Sequence, residues 1–203
     1  RDDTNNRDEL TIRGKLAIEA SNDLTIDLAG YYFDFDNGYD AYSLDNTRET
    51  YSDEPGFDQQ ETAAFSAKFT YQGFNSATIL AIVSNADSDL AYGYDEDWAY
   101  VGISDPDVIE NPDYAYWEYT STDHYYREKA VLTTELRAVS NQGQEIFNGS
   151  TAWVAGIFYK QDDEDLLRQY TYAAGDFTST NESKSIAIYG QLDSQLTEKW
   201  SLI

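Results

Sequence analysis

The sequence predicts an all-β protein, an antiparallel up-and-down meander, and three observations carry that expectation. Aromatic side chains make up 15% of 203 residues, as 18 Tyr, 9 Phe and 4 Trp, and aromatic rings suit a pleated surface. Apolar and polar residues alternate with period two through successive runs. The connections between those runs alternate in length, short and then long.

The first run places Ile12, Gly14, Leu16, Ile18 and Ala20 on one side, with Arg13, Lys15 and Glu19 between them. Ser21 to Asp23 form a turn, after which Leu24, Ile26 and Leu28 resume the apolar side, so the two runs read as a hairpin. A third strand sets Ala63, Phe65, Ala67, Phe69 and Tyr71 against Ser66, Lys68 and Thr70. After a turn at Gly73 to Ser76, a fourth begins at Ala77 with Ile79, Ala81 and Val83 on one face. The fifth is Ala130, Leu132, Thr134, Leu136 and Ala138, interleaved with Lys129, Thr133, Glu135 and Arg137. The sixth sets Trp153, Ala155, Ile157 and Tyr159 against Val154, Gly156, Phe158 and Lys160. Ile186, Ile188, Gly190 and Leu192 form the seventh, and a turn near Asp193 to Leu196 leads into a short eighth at Lys199 to Ile203.

Short connections are expected after the first, third and seventh strands, an intermediate one at Asn141 to Gly149, and long ones at 37–60, 95–124 and 162–182. Tight turns at one end and long loops at the other are the pattern of an outer-membrane barrel. The carboxylates are expected in the loops, at 34–61, 87–123 and 162–182. Arg13, Lys15, Lys68, Lys129, Arg137 and Lys184 are expected opposite the apolar face. Alternation by itself does not say whether that polar face lines a lumen or meets bulk water.

Composition narrows the function. A net charge of −25 excludes a non-specific nucleic-acid binder, which needs cations to displace counterions from phosphate. The absence of Cys removes thiolate chemistry and disulfides, and the single histidine, His124, leaves no second imidazole for a zinc or two-His iron site. No enzyme activity and no cofactor are expected. The chain begins at Arg1 with no charged n-region or apolar h-region, so no signal peptide is expected within it.

Thr134-Glu135-Leu136-Arg137, followed by Trp153-Val154-Ala155-Gly156-Ile157-Phe158-Tyr159, resembles a strand pair in the barrel of TonB-dependent outer-membrane receptors. Residues 185–193 (SIAIYGQLD) and 196–202 (LTEKWSL) are similar to the next hairpin of that family, and Tyr92-Gly93-Tyr94-Asp95-Glu96-Asp97-Trp98 to another of its phrases. The resemblance implies that residues 1–203 are about eight strands of a larger transmembrane barrel, with the plug domain, signal peptide and closing strands lying outside this sequence. It implies active uptake of a scarce nutrient, an iron-siderophore complex first, across the bacterial outer membrane. The partners it implies are that small molecule, outer-membrane lipid, and a periplasmic energy-coupling protein acting through the plug. The competing reading is a soluble, secreted, acidic β-sandwich that binds glycans.

Tyr92, Tyr94, Trp98, Tyr116 and Trp117 are the candidate ligand-binding residues, because ring faces with polar tips suit chelates or sugar rings. An aromatic girdle at the membrane interface is the alternative for the same cluster. Asp34-Phe35-Asp36-Asn37-Gly38 has the composition of a calcium loop without its spacing. Asp162-Asp163-Glu164-Asp165 reads as a solvated charge run, and His124 as an ordinary residue at a strand start. No metal site is expected.

Overall fold

A computed structural model describes residues 4–40, 42–43, 47–103 and 120–203. Eight antiparallel strands form one sheet in sequence order: β1 (Glu9–Glu19), β2 (Leu24–Gly38), β3 (Phe57–Tyr71), β4 (Ala77–Asp95), β5 (Thr122–Ser140), β6 (Thr151–Tyr170), β7 (Phe177–Thr197) and β8 (Trp200–Leu202). The meander is as expected, and the sheet is open, with β1 and β8 at the ends of the strand order. All eight strands belong to this one sheet, so the described residues do not make the two packed layers of a sandwich. Among the described residues no helix is long and apolar enough to cross a membrane.

Local chemistry sets the turns at one end. Ser21 Oγ accepts the backbone N–H of Asp23 and Leu24 at 3.3 and 3.1 Å, which reverses the chain between β1 and β2. Asn141 ties two turns together: its Nδ2 donates to the carbonyls of Phe74 and Asn75 at 2.9 and 3.0 Å, while Thr78 Oγ1 donates to its Oδ1 at 2.8 Å. A one-turn segment, α1 (Ile146–Gly149), precedes β6. Within it Phe147, Asn148 and Gly149 all have positive φ, at 54°, 60° and 81°.

The strands run further than alternation of apolar residues reveals. β6 has 20 residues and β7 has 21, whereas about 9–11 suffice to span a bilayer. The acidic stretch 162–182, expected as a long loop, is instead the outer halves of β6 and β7 joined by a turn at 171–176. Polar residues occupy both faces there, so the periodic signal vanishes while the backbone ladder continues, with Asp163 opposite Glu182 and Asp165 opposite Thr180. β7 likewise continues through the turn expected at Asp193 to Leu196 and is reversed only after Thr197, with a register shift between Gln195 and Thr197. Asp34 to Gly38 lie in β2 as extended ladder rather than as a calcium loop. The long connections that remain are 39–56 and 96–121.

Cross-strand register assigns the faces. Leu16 pairs with Leu28, Ala67 with Leu28, Ala67 with Val83, Ala81 with Leu136, Leu136 with Ile157 and Ile157 with Ile188. Directly opposed residues share a face, so one apolar face runs across seven strands. Following that face away from the short turns, it changes to carboxylates: Asp34 opposite Glu61, Glu61 opposite Asp89, Asp89 opposite Glu128, and Glu128 opposite Asp165. Lys184 also lies on this face, two residues before Ile186 and therefore on the same side; the expected placement opposite it is corrected. Its amine pairs with Glu182.

The other face holds most of the ion pairs among the described residues. Lys68 bonds Asp27 at 3.0 Å, and Lys129 reaches Asp162 and Glu164 at 3.3 and 3.6 Å. Arg137 bonds Glu135 at 2.6 Å, and the Tyr189 hydroxyl donates to the same carboxylate. The hydrophobic side chains buried among the described residues are Ala67, Ala77, Ala99 and Ile103. A single layer of this size therefore has no core of its own.

Candidate functional site

Tyr92 and Tyr94 alternate on the ion-paired face at the end of β4, where register sets them against Tyr125 and Asp123 of β5. The sequence grouped the first two with Trp98, and the structure brings all three together around a pocket of about 530 Å³. Tyr42, Glu96, Tyr125 and Arg127 complete its lining. Tyr116 and Trp117 lie outside the described residues.

Trp98 is placed by the turn that ends β4. The Asp95 carboxylate, 3% exposed, accepts the N–H groups of Asp97 and Trp98 on Oδ1 at 3.2 and 3.1 Å, and that of Asp53 on Oδ2 at 3.1 Å. One buried side chain thus forms the turn and anchors the other long connection to it. Trp98 itself has φ 60°, a left-handed conformation costly for a bulky residue. Its ring stacks on Tyr42 at 4.7 Å and 8°, and the indole Nε1–H is buried without an acceptor among the described residues. Tyr39 packs edge-on to Tyr92 at 4.9 Å.

A charged network supports the floor. Asp123, 2% exposed, accepts Arg168 Nε and Nη2 at 2.8 and 2.7 Å, the Tyr125 hydroxyl at 2.9 Å and the Tyr94 hydroxyl at 3.4 Å. Burial pushes this carboxyl up, but the Arg168 guanidinium and the two phenols outweigh it and hold it below the usual carboxylate range. Burial and the neighbouring Asp123 push Tyr94 up to about 12. Burial together with the Tyr39 hydroxyl raises Tyr92 as well. Both phenols therefore keep their protons at neutral pH. Arg168 and Arg127 both lie on the Tyr125 ring, at 5.1 and 5.6 Å.

Arg127 differs from its neighbours. Arg137 and Arg168 each bind a carboxylate, whereas Arg127 makes no ion pair among the described residues and its guanidinium lies over the Tyr125 ring. Across the pocket Glu96 accepts Ser121 Oγ at 2.7 Å. The pocket thus offers stacking surface, one cationic donor and one anionic acceptor.

Tyr42, Tyr125, Arg127 and Glu96 were not singled out from the sequence. For Tyr125 and Arg127 the strand register was the missing signal; Tyr42 arrives from a separate loop that alternation does not reach. A larger hollow of about 730 Å³ lies beside Asp34, Glu61, Asp89, Glu128 and Asp165, and of the residues around the aromatic pocket Arg127 alone also borders it. His124 turns to the face that carries those carboxylates, its ring 5.1 Å from Phe57. Among the described residues no group of three His, Asp or Glu side chains is arranged to hold a metal. Comparison with protein-family models, with curated proteins and with solved structures finds no match.

Proposed function

We propose that this chain forms part of the barrel wall of a TonB-dependent receptor and serves active uptake of a scarce nutrient across the bacterial outer membrane. The observation that carries the reading is the exposed apolar band on one face. Ile188 is 84% exposed, Leu16 56% and Leu136 52%, all on the face defined by register and all toward the short turns. In β5 the band runs from Ala130 to Ala138, about 30 Å of strand at about 3.3 Å per residue. At a tilt of about 40° that is about 23 Å of height, close to the apolar band of an outer-membrane barrel. Water is a poor solvent for a surface of this size, and lipid is the environment that suits it.

Above the band the strands continue into the carboxylate zone and carry the aromatic pocket at their far end, where a receptor meets its ligand. An iron-siderophore complex is the cargo the family resemblance implies, with a periplasmic partner supplying the energy. Fractionation of the source cells, with an antibody against this segment, tests the reading. The expected band lies in the outer membrane and is several times heavier than 23.0 kDa; a soluble band at that mass refutes it.

A further inference from the structure

We propose that the pocket between Trp98 and Arg127 is a subsite for one pyranose ring of an uncharged oligosaccharide. The inference rests on the receptor reading for its setting and departs from it on the cargo.

Four properties of the pocket converge on that chemistry. First, its size, about 530 Å³, falls in the range of small-ligand sites. Second, its lining is mostly aromatic, from Tyr42, Tyr92, Tyr94, Trp98 and Tyr125. The weakly positive C–H face of a sugar stacks on the negative face of an aromatic ring, as another ring edge does.

Third, the polar groups are mixed in kind. Arg127 only donates and Glu96 only accepts, and a sugar hydroxyl does both. Arg127 has no carboxylate partner among the described residues, so its guanidinium keeps donors for a ligand.

Fourth, the charges of Arg127 and Glu96 cancel locally within a chain of net charge −25. An anionic ligand would gain Arg127 but meet Glu96 and the field of the surrounding carboxylates. A cation would meet Arg127. A neutral polyol uses both groups and opposes neither.

The test is a titration of the full chain in detergent micelles, read by tryptophan fluorescence. Maltotriose, cellotriose and chitotriose are the neutral probes; trigalacturonate and a ferric tris-catecholate are the charged ones. Saturable quenching by at least one neutral trisaccharide is expected, with affinity exceeding that for both charged probes. Arg127→Gln weakens it about tenfold or more, as expected for a lost charged hydrogen bond. Tyr42→Ala weakens it too, with an unchanged far-ultraviolet spectrum excluding misfolding, and Trp98→Phe removes the optical signal. Binding of the ferric catecholate alone, or saturation by no neutral probe, overturns the sugar assignment. The receptor reading is decided separately by fractionation, so an outer-membrane chain that ignores all three neutral sugars sinks this inference alone.

Discussion

Gly156 of β6 lies beneath the ring of Tyr189 of β7, its direct cross-strand partner, and that packing yields a prediction of definite sign. A Cβ added at Gly156 would sit 2.5 Å from both Cζ and the hydroxyl oxygen of Tyr189, and 2.8 Å from Cε1. Carbon atoms rest about 3.5–4.0 Å apart, so Gly156→Ala must drive the ring off by about 1 Å. The hydroxyl then leaves its place between Glu135, to which it donates, and Arg137 Nε, from which it accepts at 3.0 Å. Losing a hydrogen bond to a charged group costs about 1.5–3 kcal/mol, while Ala gains about 0.5–1 kcal/mol over Gly in chain entropy. The net expectation is a loss of about 1–2 kcal/mol. In a Tyr189→Ala background the obstruction is gone, and Gly156→Ala becomes neutral or stabilising by about 0.5–1 kcal/mol. Equilibrium guanidinium unfolding in detergent micelles, followed by circular dichroism, measures the four members of the cycle. Equal effects of the Gly156 substitution in both backgrounds would refute the packing argument.

Three further outcomes follow from other parts of the molecule. The Asp123 carboxylate is held below its ordinary pKa, so its contribution to stability is complete above the unfolded value of about 4 and is lost as pH falls through the lower folded one. Asp123→Asn therefore weakens the protein at pH 7 and flattens the acid limb of its stability profile; identical slopes for wild type and variant would remove Asp123 from the account. Leu136→Lys, on the apolar face, costs about 2–4 kcal/mol in lipid vesicles if the bilayer midplane lies there, whereas Ala187→Lys on the opposite face costs markedly less, and the reverse ranking in vesicle unfolding contradicts the lipid assignment. Phe147 has φ 54° and is 68% exposed, so Phe147→Gly relieves about 1–2 kcal/mol of left-handed strain against a smaller entropic cost, and a thermal scan should show a higher transition temperature.

How far the sequence reveals this architecture depends on where contrast between the two faces exists. In the halves of the strands nearer the short turns one face is apolar and the other polar, so Leu132, Leu136 and Ile157 alternate cleanly with Lys129, Arg137 and Lys160, and the meander is legible. In the outer halves both faces are hydrophilic, as where Asp162, Asp163, Glu164 and Asp165 follow one another through β6. No alternation survives there, and a ladder of full length reads as an acidic loop. The misplacement of Lys184 has the same origin, because a basic residue was assigned to the polar face by chemistry when parity with Ile186 sets it on the other. Trp98 and the two tyrosines of β4 were visible as a cluster in one short stretch. Arg127 and Tyr125 reach them only through the β4–β5 register, and Tyr42 only through the fold of a separate loop.

The segregation along each strand also explains why ligand recognition would sit where it does. From the short turns to the middle of the strands the ion-paired face is committed: Glu135 is shared by Arg137 and Tyr189, and Lys129 and Lys160 converge on Asp162. Groups already satisfied have little to offer a ligand, since binding would first break what holds them. At the far end the balance changes. Asp123 and Asp95 consume Arg168 and the loop N–H groups, fixing the backbone and the phenols of Tyr94 and Tyr125, and leave Arg127 without an ion pair among the described residues. A rigid floor beside an unpaired guanidinium lowers the entropic cost of capture. The two buried aspartates therefore act as positioning residues, and removing either should weaken binding by loosening the aromatic walls while leaving the chemistry of the lining intact.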